Sequence, residues 1–142
     1  MYSSARKAID AYAQVGVETG VASADPHKLI LMLFDGALAA VAAARLAMNR
    51  AEIPAKVTAI TKAIAIIDGG LKASLDTKAG GELADRLAGL YDYMLRQLLL
   101  ANLHNESTML DEVGRLLNEL RGAWAQIGRS PQGVVHAQGE AK

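Results

Sequence analysis

The sequence predicts an all-α fold, an antiparallel up-down bundle of four long helices with a short extra helix at the N-terminus. Ala and Leu are strong helix formers and occur 27 and 19 times among 142 residues, whereas Pro occurs 3 times and aromatic residues make up 4%. Apolar residues recur at steps of three and four along four segments, and no useful length alternates with period two. Short connections between such segments favour antiparallel neighbours. The length suits a single domain.

Residues Ser3–Val17 form the first predicted element, a short amphipathic helix with Ile9 and Tyr12 on its apolar face. The following stretch, Glu18–Ala24, lacks this periodicity and predicts a flexible strap. We therefore expect residues 1–24 to form a mobile N-terminal helix and strap.

The first long helix is predicted to begin at Asp25-Pro26, because Asp can cap the free amides and Pro suits the first turn. It is expected to run to about Arg50. The stretch Leu29–Ala44 is 16 residues long and includes Asp35; at about 24 Å it is short of the roughly 30 Å hydrocarbon core. This predicts a core helix and not a membrane span. Its two apolar rows are Leu29, Leu33, Ala37 and Ala40, and Ile30, Phe34, Leu38 and Val41.

The second long helix is predicted to begin near Pro54, and the composition of Asp76–Gly81 predicts a turn after it. The third is expected to end near Asn105. Both have apolar seams of helical period. The seams are Val57, Ile60, Ile64, Ile67, Leu71 and Leu75, and Leu83, Leu87, Leu90, Met94, Leu98 and Ala101.

The last helix has the most regular heptad of the chain, and we expect its seam to pack against both central helices. Asn105, Ser107 and Thr108 are alternative caps at its start, and Gly128 can end it. The bundle is thus expected over 25–127, with a disordered tail over 128–142 that has too little apolar surface to order. The seam is Leu110, Val113, Leu117, Leu120, Trp124 and Ile127.

Charge and motifs argue against several function classes. Fifteen basic residues balance fifteen acidic ones, so no global field attracts nucleic acid or an anionic membrane. The chain has no Cys, and its N-terminus lacks the apolar block of a secretory signal, which predicts a cytosolic location. The three histidines match no zinc or di-iron motif, and the glycine pairs match no phosphate-binding loop. Metal, cofactor and catalytic sites are therefore not expected.

The central helices carry more apolar residues than a bundle core needs. Leucines surround much of the helix over Leu95–Leu103, and isoleucines do so over Ile64–Ile67, whereas one stripe is enough for a bundle. The surplus surface could be covered by the N-terminal helix, by a second subunit or by the helix of a client. From the residues alone, the chain is a helical binding module.

Several short motifs in a fixed order extend this interpretation. Together they resemble the flagellar secretion chaperone family over about Met1–Ile127, although Phe34 stands where Tyr is common in that family. The matching residues are Ile9 with Tyr12-Ala-Gln-Val, Ser23-Ala-Asp-Pro-His-Lys-Leu-Ile, Met32-Leu-Phe-Asp-Gly-Ala, Lys62-Ala-Ile-Ala-Ile-Ile-Asp, Gly70-Leu71, Leu75-Asp76, Gly80-Gly81-Glu82, Leu90-Tyr-Asp-Tyr-Met, Leu98-Leu-Leu-Ala-Asn and Trp124.

The resemblance implies a non-enzymatic chaperone, without a cofactor, that binds the disordered C-terminal segment of flagellin. It would prevent premature polymerisation and deliver this client to the membrane-embedded flagellar type III export gate. The alternative is a structural or regulatory homo-oligomer with no extended client. We expect Ile9 and Tyr12 to cover the empty groove or to dock on the gate. The expected client-binding residues are Leu33, Ile67, Leu71, Leu98 and Ala101, with Asn102 as a polar anchor.

Overall fold

The computed structural model describes residues 25–129. Within this range the chain forms four helices: α1 (Pro26–Asn49), α2 (Ile53–Ile66), α3 (Thr77–His104) and α4 (Ser107–Arg129). The all-α prediction is confirmed. The predicted N-terminal helix, its strap and the tail from residue 130 lie outside the described residues.

The start of α1 follows the sequence prediction. The Asp25 carboxylate accepts a hydrogen bond from the backbone N–H of Lys28 at 2.8 Å, and Pro26 occupies the first turn. This satisfies one of the free amides at the helix N-terminus. At the other end the chain turns through Ala51, whose φ is 56°. That left-handed conformation is unfavourable for a residue with a Cβ atom.

The second apolar seam is continued by a π-helical segment, Ile67–Lys72, which follows α2 directly. A wider turn of this kind changes which face of the helix the following residues occupy. Ile67, Gly70 and Leu71 are buried in it, and the Ser74 hydroxyl donates to the Gly70 carbonyl oxygen at 2.6 Å.

The turn expected over Asp76–Gly81 is partly helical. Asp76 caps a first turn by accepting from the amides of Lys78 and Ala79 at 3.2 and 3.0 Å. Gly81 then interrupts α3 with φ 56° and ψ −131°, a conformation that favours glycine. The helix ends at His104, where Asn105 adopts the left-handed conformation with φ 54°.

The four helices surround one apolar core. α1 lies between α2 and α4, and α3 completes the ring by packing against α4 and, less closely, against α2. The expectation that α4 packs directly on α2 is therefore wrong, because α2 lies diagonally opposite α4 across the core. The largest fully buried side chains are Leu33, Ile60, Ile67, Met94, Leu98, Leu110, Val113 and Leu117.

The seam of α4 is buried over only part of its length. Leu110, Val113 and Leu117 are fully buried, Leu120 and Trp124 are half-buried, and Ile127 is exposed. The helix continues to Arg129, slightly beyond the end predicted at Gly128. The bundle is thus tightly packed at its middle and looser at the end where α4 finishes.

α1 is long and apolar enough to cross a membrane by length and composition, with a mean hydropathy of 1.9 over its most apolar window. In the bundle it supplies eight buried residues to the core. Its Asp35 pairs with Arg121 of α4, and its Arg45 pairs with Asp111 of the same helix. Core helices rich in apolar residues meet the same criteria of length and composition, and α1 has the buried residues and ion pairs of such a helix.

Candidate functional site

Polar side chains form hydrogen bonds across two of the seams between neighbouring helices, the α1–α4 seam and the α3–α4 seam. Arg45 of α1 donates two hydrogen bonds to the Asp111 carboxylate of α4, at 2.8 and 3.2 Å. The Tyr93 hydroxyl of α3 donates to the Glu112 carboxylate of α4 at 2.8 Å. These contacts fix the position of α4 against both of its neighbours.

The seam between α2 and α3 is built differently. At one end the Lys56 ammonium of α2 donates to the Asn102 carbonyl oxygen of α3 at 3.2 Å. At the other end Lys72, in the π-helical segment, pairs with Asp92 of α3 at 2.7 Å. Between these two contacts the structure shows no side-chain hydrogen bond across the seam among residues 25–129.

Apolar side chains border the open part of this seam. Because Asp92 faces the α2 side, the α3 residues three, seven and eleven positions further along lie on roughly the same face. On α2, Lys56 likewise faces α3, and a row of apolar residues lies beside it on the same side of the helix. We name this surface the α2–α3 groove; its members are Ile53, Val57 and Ile64 on α2 and Leu95, Leu99 and Leu103 on α3.

The groove exposes much of its apolar surface. Leu103 is 74% exposed, Leu99 58%, Ile53 50% and Val57 40%. Scattered exposed apolar residues are ordinary, but a contiguous row on one seam is typical of an interaction site. The groove spans about 17 Å from Ile53 to Ile64, which is three turns of helix. This length fits an amphipathic helix laid along the seam.

The structure does not place the predicted apolar client-binding residues on this surface. All five are 0–2% exposed and belong to the core, where they contact the other helices of the bundle. Their role in client binding remains a prediction, and one of them, Leu71, also lines the cavity described below. They are Leu33, Ile67, Leu71, Leu98 and Ala101.

The burial of these five residues has a simple geometric cause. A helical period identifies the stripe that faces inward, and the groove uses the adjacent stripe, about 100° further round the helix. Leu98 is buried for that reason, whereas Leu99 is in the groove. Asn102, the predicted polar anchor, is half-buried at the end of the groove, where its carbonyl oxygen accepts from Lys56. Its role in client binding remains a prediction.

Sequence reasoning missed Lys56, Val57 and Leu103 as site residues. The surplus of leucines over Leu95–Leu103 was the available signal, since it requires a second apolar face on the helix. Nothing in the sequence around Lys56 indicates that its ammonium group is buried. Ile9 and Tyr12, the other predicted contacts, lie outside the described residues.

A second apolar feature is a cavity of about 190 Å³ at the end of the bundle where α4 finishes. We name it the end cavity. The residues of the α4 seam after Leu117, which are Leu120, Trp124 and Ile127, all line this cavity. Its lining is mostly aliphatic and aromatic and includes Leu71, one of the predicted client-binding residues. The other large side chains that line it are Ile30, Phe34, Leu75, Leu87, Tyr91, Leu120, Trp124 and Ile127.

Burial and charge alter two titrating groups near these features. Burial raises the pKa of the Tyr91 phenol, which lines the end cavity, to about 12. The hydrogen bond with Asp92 raises the pKa of Lys72, and the carboxylate of Asp68 adds to the effect. The Lys72 ammonium group is therefore stabilised in its charged form by the carboxylates of both Asp92 and Asp68.

Among residues 25–129, no three His, Asp or Glu side chains converge in a way that could hold a metal ion. The only buried charged residue of this range is Lys56. The features that the described part of the chain offers are thus apolar surfaces with polar ends, which suit the binding of another polypeptide.

Comparison with known sequences assigns the chain to a family. The family described as "Flagellar protein FliS" matches residues 8–131. The chain belongs to the FliS family. A relative named flagellar secretion chaperone FliS, from Salmonella typhimurium, is 55% identical over 119 residues, which cover 84% of this chain and 88% of the relative.

More distant FliS relatives match over a similar span. Flagellar secretion chaperone FliSB of Pseudomonas aeruginosa is 48% identical, over 87% of this chain and 97% of its own length. FliS of Bacillus subtilis is 33% identical, over 91% of this chain and 92% of its own. These relatives are named as secretion chaperones, and the resemblance found in the sequence motifs is confirmed.

Proposed function

We propose that this protein is an export chaperone that binds the disordered C-terminal segment of flagellin in the α2–α3 groove. Its membership of the FliS family supports the chaperone role, since relatives across most of its length are named flagellar secretion chaperones. The observation that supports this location is the row of exposed apolar residues Ile53, Val57, Leu99 and Leu103 along the α2–α3 seam, which has no side-chain hydrogen bond in its middle within the described range.

The mechanism follows from the geometry of the groove. The client segment folds into an amphipathic helix as it binds, with apolar residues spaced at i, i+3, i+4 and i+7 facing Val57, Leu99 and Leu103. The free energy of burying these surfaces offsets the ordering cost of about 2–5 kcal/mol. No nucleotide is needed, because folding and binding are one equilibrium.

Binding of this kind prevents premature polymerisation by occupying the apolar face with which the client would pack against other flagellin molecules. A disordered client that folds on binding is expected to bury about 1,000–3,000 Å². A three-turn helix in the groove supplies part of that area. The client therefore extends beyond the groove onto adjoining apolar surface.

The chaperone would then deliver its client from the cytosol to the membrane-embedded export gate. In this proposal Ile9 and Tyr12, on the segment before the bundle, cover the empty client surface or dock on the gate. Hydrogen exchange over residues 3–17 tests the cover: protection that falls on addition of client supports displacement, and unchanged protection contradicts it.

Titration of the full chain with a peptide of the flagellin C-terminal segment tests the proposed function, with molar mass followed by light scattering. A one-to-one complex is the expected result. A dimer of the chain that ignores the peptide would contradict it and favour the homo-oligomer instead.

A further inference from the structure

Lys56 is a charged side chain that the bundle buries almost completely. It is 5% exposed, and its ammonium group lies at the C-terminal end of α3. It donates hydrogen bonds to the Asn102 carbonyl oxygen at 3.2 Å and to the Asn105 side-chain oxygen at 3.1 Å. The C-terminus of a helix has a partial negative charge of about half an electron, so the ammonium group is favourably placed there.

This environment compensates the charge only in part. An ammonium group has three donors, and both of its acceptors in the described range are neutral amides. No carboxylate among residues 25–129 lies within ion-pair distance of Lys56. Since buried charges are normally paired, the Lys56 ammonium group can still bind an anionic partner.

The group also lies where a bound client would end. Lys56 precedes the groove residue Val57 on α2, and its acceptors Asn102 and Asn105 flank the groove residue Leu103 on α3. The ammonium group thus bridges the two walls at one end of the α2–α3 groove. At the other end, the Asp92 carboxylate lies 2.7 Å from the Lys72 ammonium group, and the Asp68 carboxylate also acts on that group.

We propose that Lys56 binds the terminal carboxylate of the client's polypeptide chain, and that the client helix lies parallel to α3 in the groove. The inference rests on the proposed function, because it assumes a C-terminal client segment. A helix in this orientation places its carboxylate and its negative dipole end at Lys56. Its positive N-terminal end then faces the carboxylates near Lys72, so both ends are matched.

The experiment compares two flagellin C-terminal peptides of the same sequence, one with a free terminal carboxylate and one with a terminal amide. Binding to the full chain is measured by calorimetry. We expect amidation to weaken the affinity about tenfold, which is the usual effect of losing a charge-assisted hydrogen bond. A third peptide, with its acidic side chains replaced by amides and its terminus free, is expected to keep most of the affinity.

Equal affinity for the free acid and the amide would overturn the proposal and leave the proposed function intact. If only the third peptide lost affinity, Lys56 would bind an acidic side chain of the client and not its terminal carboxylate, which would also overturn the proposal. Absence of binding by all three peptides would overturn the proposed function itself. The peptide comparison leaves the protein unchanged and so does not depend on how well a variant folds.

Variants of the chain test whether the difference in affinity between the acid and the amide depends on Lys56. Lys56→Met is expected to bind the acid and the amide with equal, reduced affinity, whereas Lys62→Met, at an exposed lysine of the same helix, should preserve the tenfold difference. A spin label at the C-terminal end of the peptide is expected to broaden the amide signals of residues 53–57 and 99–105. Broadening near Lys72 and Asp92 would contradict the orientation.

Discussion

Trp124 and His27 hold each other through reciprocal contacts between the last helix and the first. The Trp124 indole N–H donates to the His27 carbonyl oxygen at 3.0 Å, and His27 Nε2 lies 2.6 Å from the Trp124 carbonyl oxygen. The two rings are stacked with centroids 5.1 Å apart. The pair joins the N-terminal turn of α1 to the C-terminal part of α4, and Trp124 also lines the end cavity.

Trp124→Phe keeps an aromatic ring at this position and removes the indole donor. We expect the free energy of unfolding to fall by about 1 kcal/mol, because the His27 carbonyl oxygen loses a partner. Urea unfolding followed by circular dichroism measures this, since Trp124 is the only tryptophan and its fluorescence is lost. Gln126→Ala, at an exposed position of the same helix, is the control. Equal stability of Trp124→Phe and the parent chain would show that the contact contributes nothing.

Leu117 and Leu103 allow the same substitution in two environments. Leu117 is fully buried in α4, so Leu117→Ala is expected to cost about 2–5 kcal/mol through lost transfer energy and the cavity left behind. Leu103 is 74% exposed, and Leu103→Ala is expected to stay within about 0.5 kcal/mol of the parent chain. Thermal unfolding compares the two. Similar costs at both positions would contradict the assignment of core and groove.

Ala51 is the residue in the connection from α1 to α2 that adopts a positive φ. Ala51→Gly is expected to stabilise the chain by up to about 1 kcal/mol, because glycine adopts this conformation without strain. The matched control is Ala65→Gly, at an exposed position inside α2, which should cost about 1 kcal/mol. Denaturation midpoints of the two variants are therefore expected to shift in opposite directions. A downward shift for both would rule out strain at Ala51.

Tyr91 predicts a loss of stability at alkaline pH. Its pKa is about 12 in the folded protein and about 10 in an unfolded chain, so the folded state binds more protons between those values. The stabilisation is complete below pH 10, and about 2 kcal/mol is lost as pH rises from 10 to 12. Tyr91→Phe has no proton to lose and should show a flatter profile. Identical slopes for the variant and the parent chain would contradict the burial of this phenol.

The fold could be predicted from the sequence because its determinants are local. Asp25 and Pro26 mark the start of α1, and the heptad of α4 identifies Leu110, Val113 and Leu117, which are all fully buried. The order of the helices around the core was not predictable in this way. A seam shows that a helix has a partner, but it does not show which helix that partner is.

The groove was predictable only as a surplus of apolar residues. The sequence shows that the helix over Leu95–Leu103 has leucines on more than one face, but periodicity assigns the inward face first. The choice between Leu98 and Leu99 depends on the position of α2, which is a tertiary property. Lys56 could not be found from the sequence, because its burial results from the C-terminus of α3 lying over it.

The most direct test of the groove as the client site is a pair of charge substitutions at equally accessible apolar positions. Leu99→Asp places a charge in the groove, and Leu46→Asp places one on the exposed face of α1, where the parent side chain is 50% exposed. Both variants should keep the helical circular dichroism of the parent chain. Calorimetric titration with the flagellin C-terminal peptide is predicted to lose most of its affinity for Leu99→Asp and to be unchanged for Leu46→Asp. Full affinity of Leu99→Asp, or equal loss in both variants, would contradict the account.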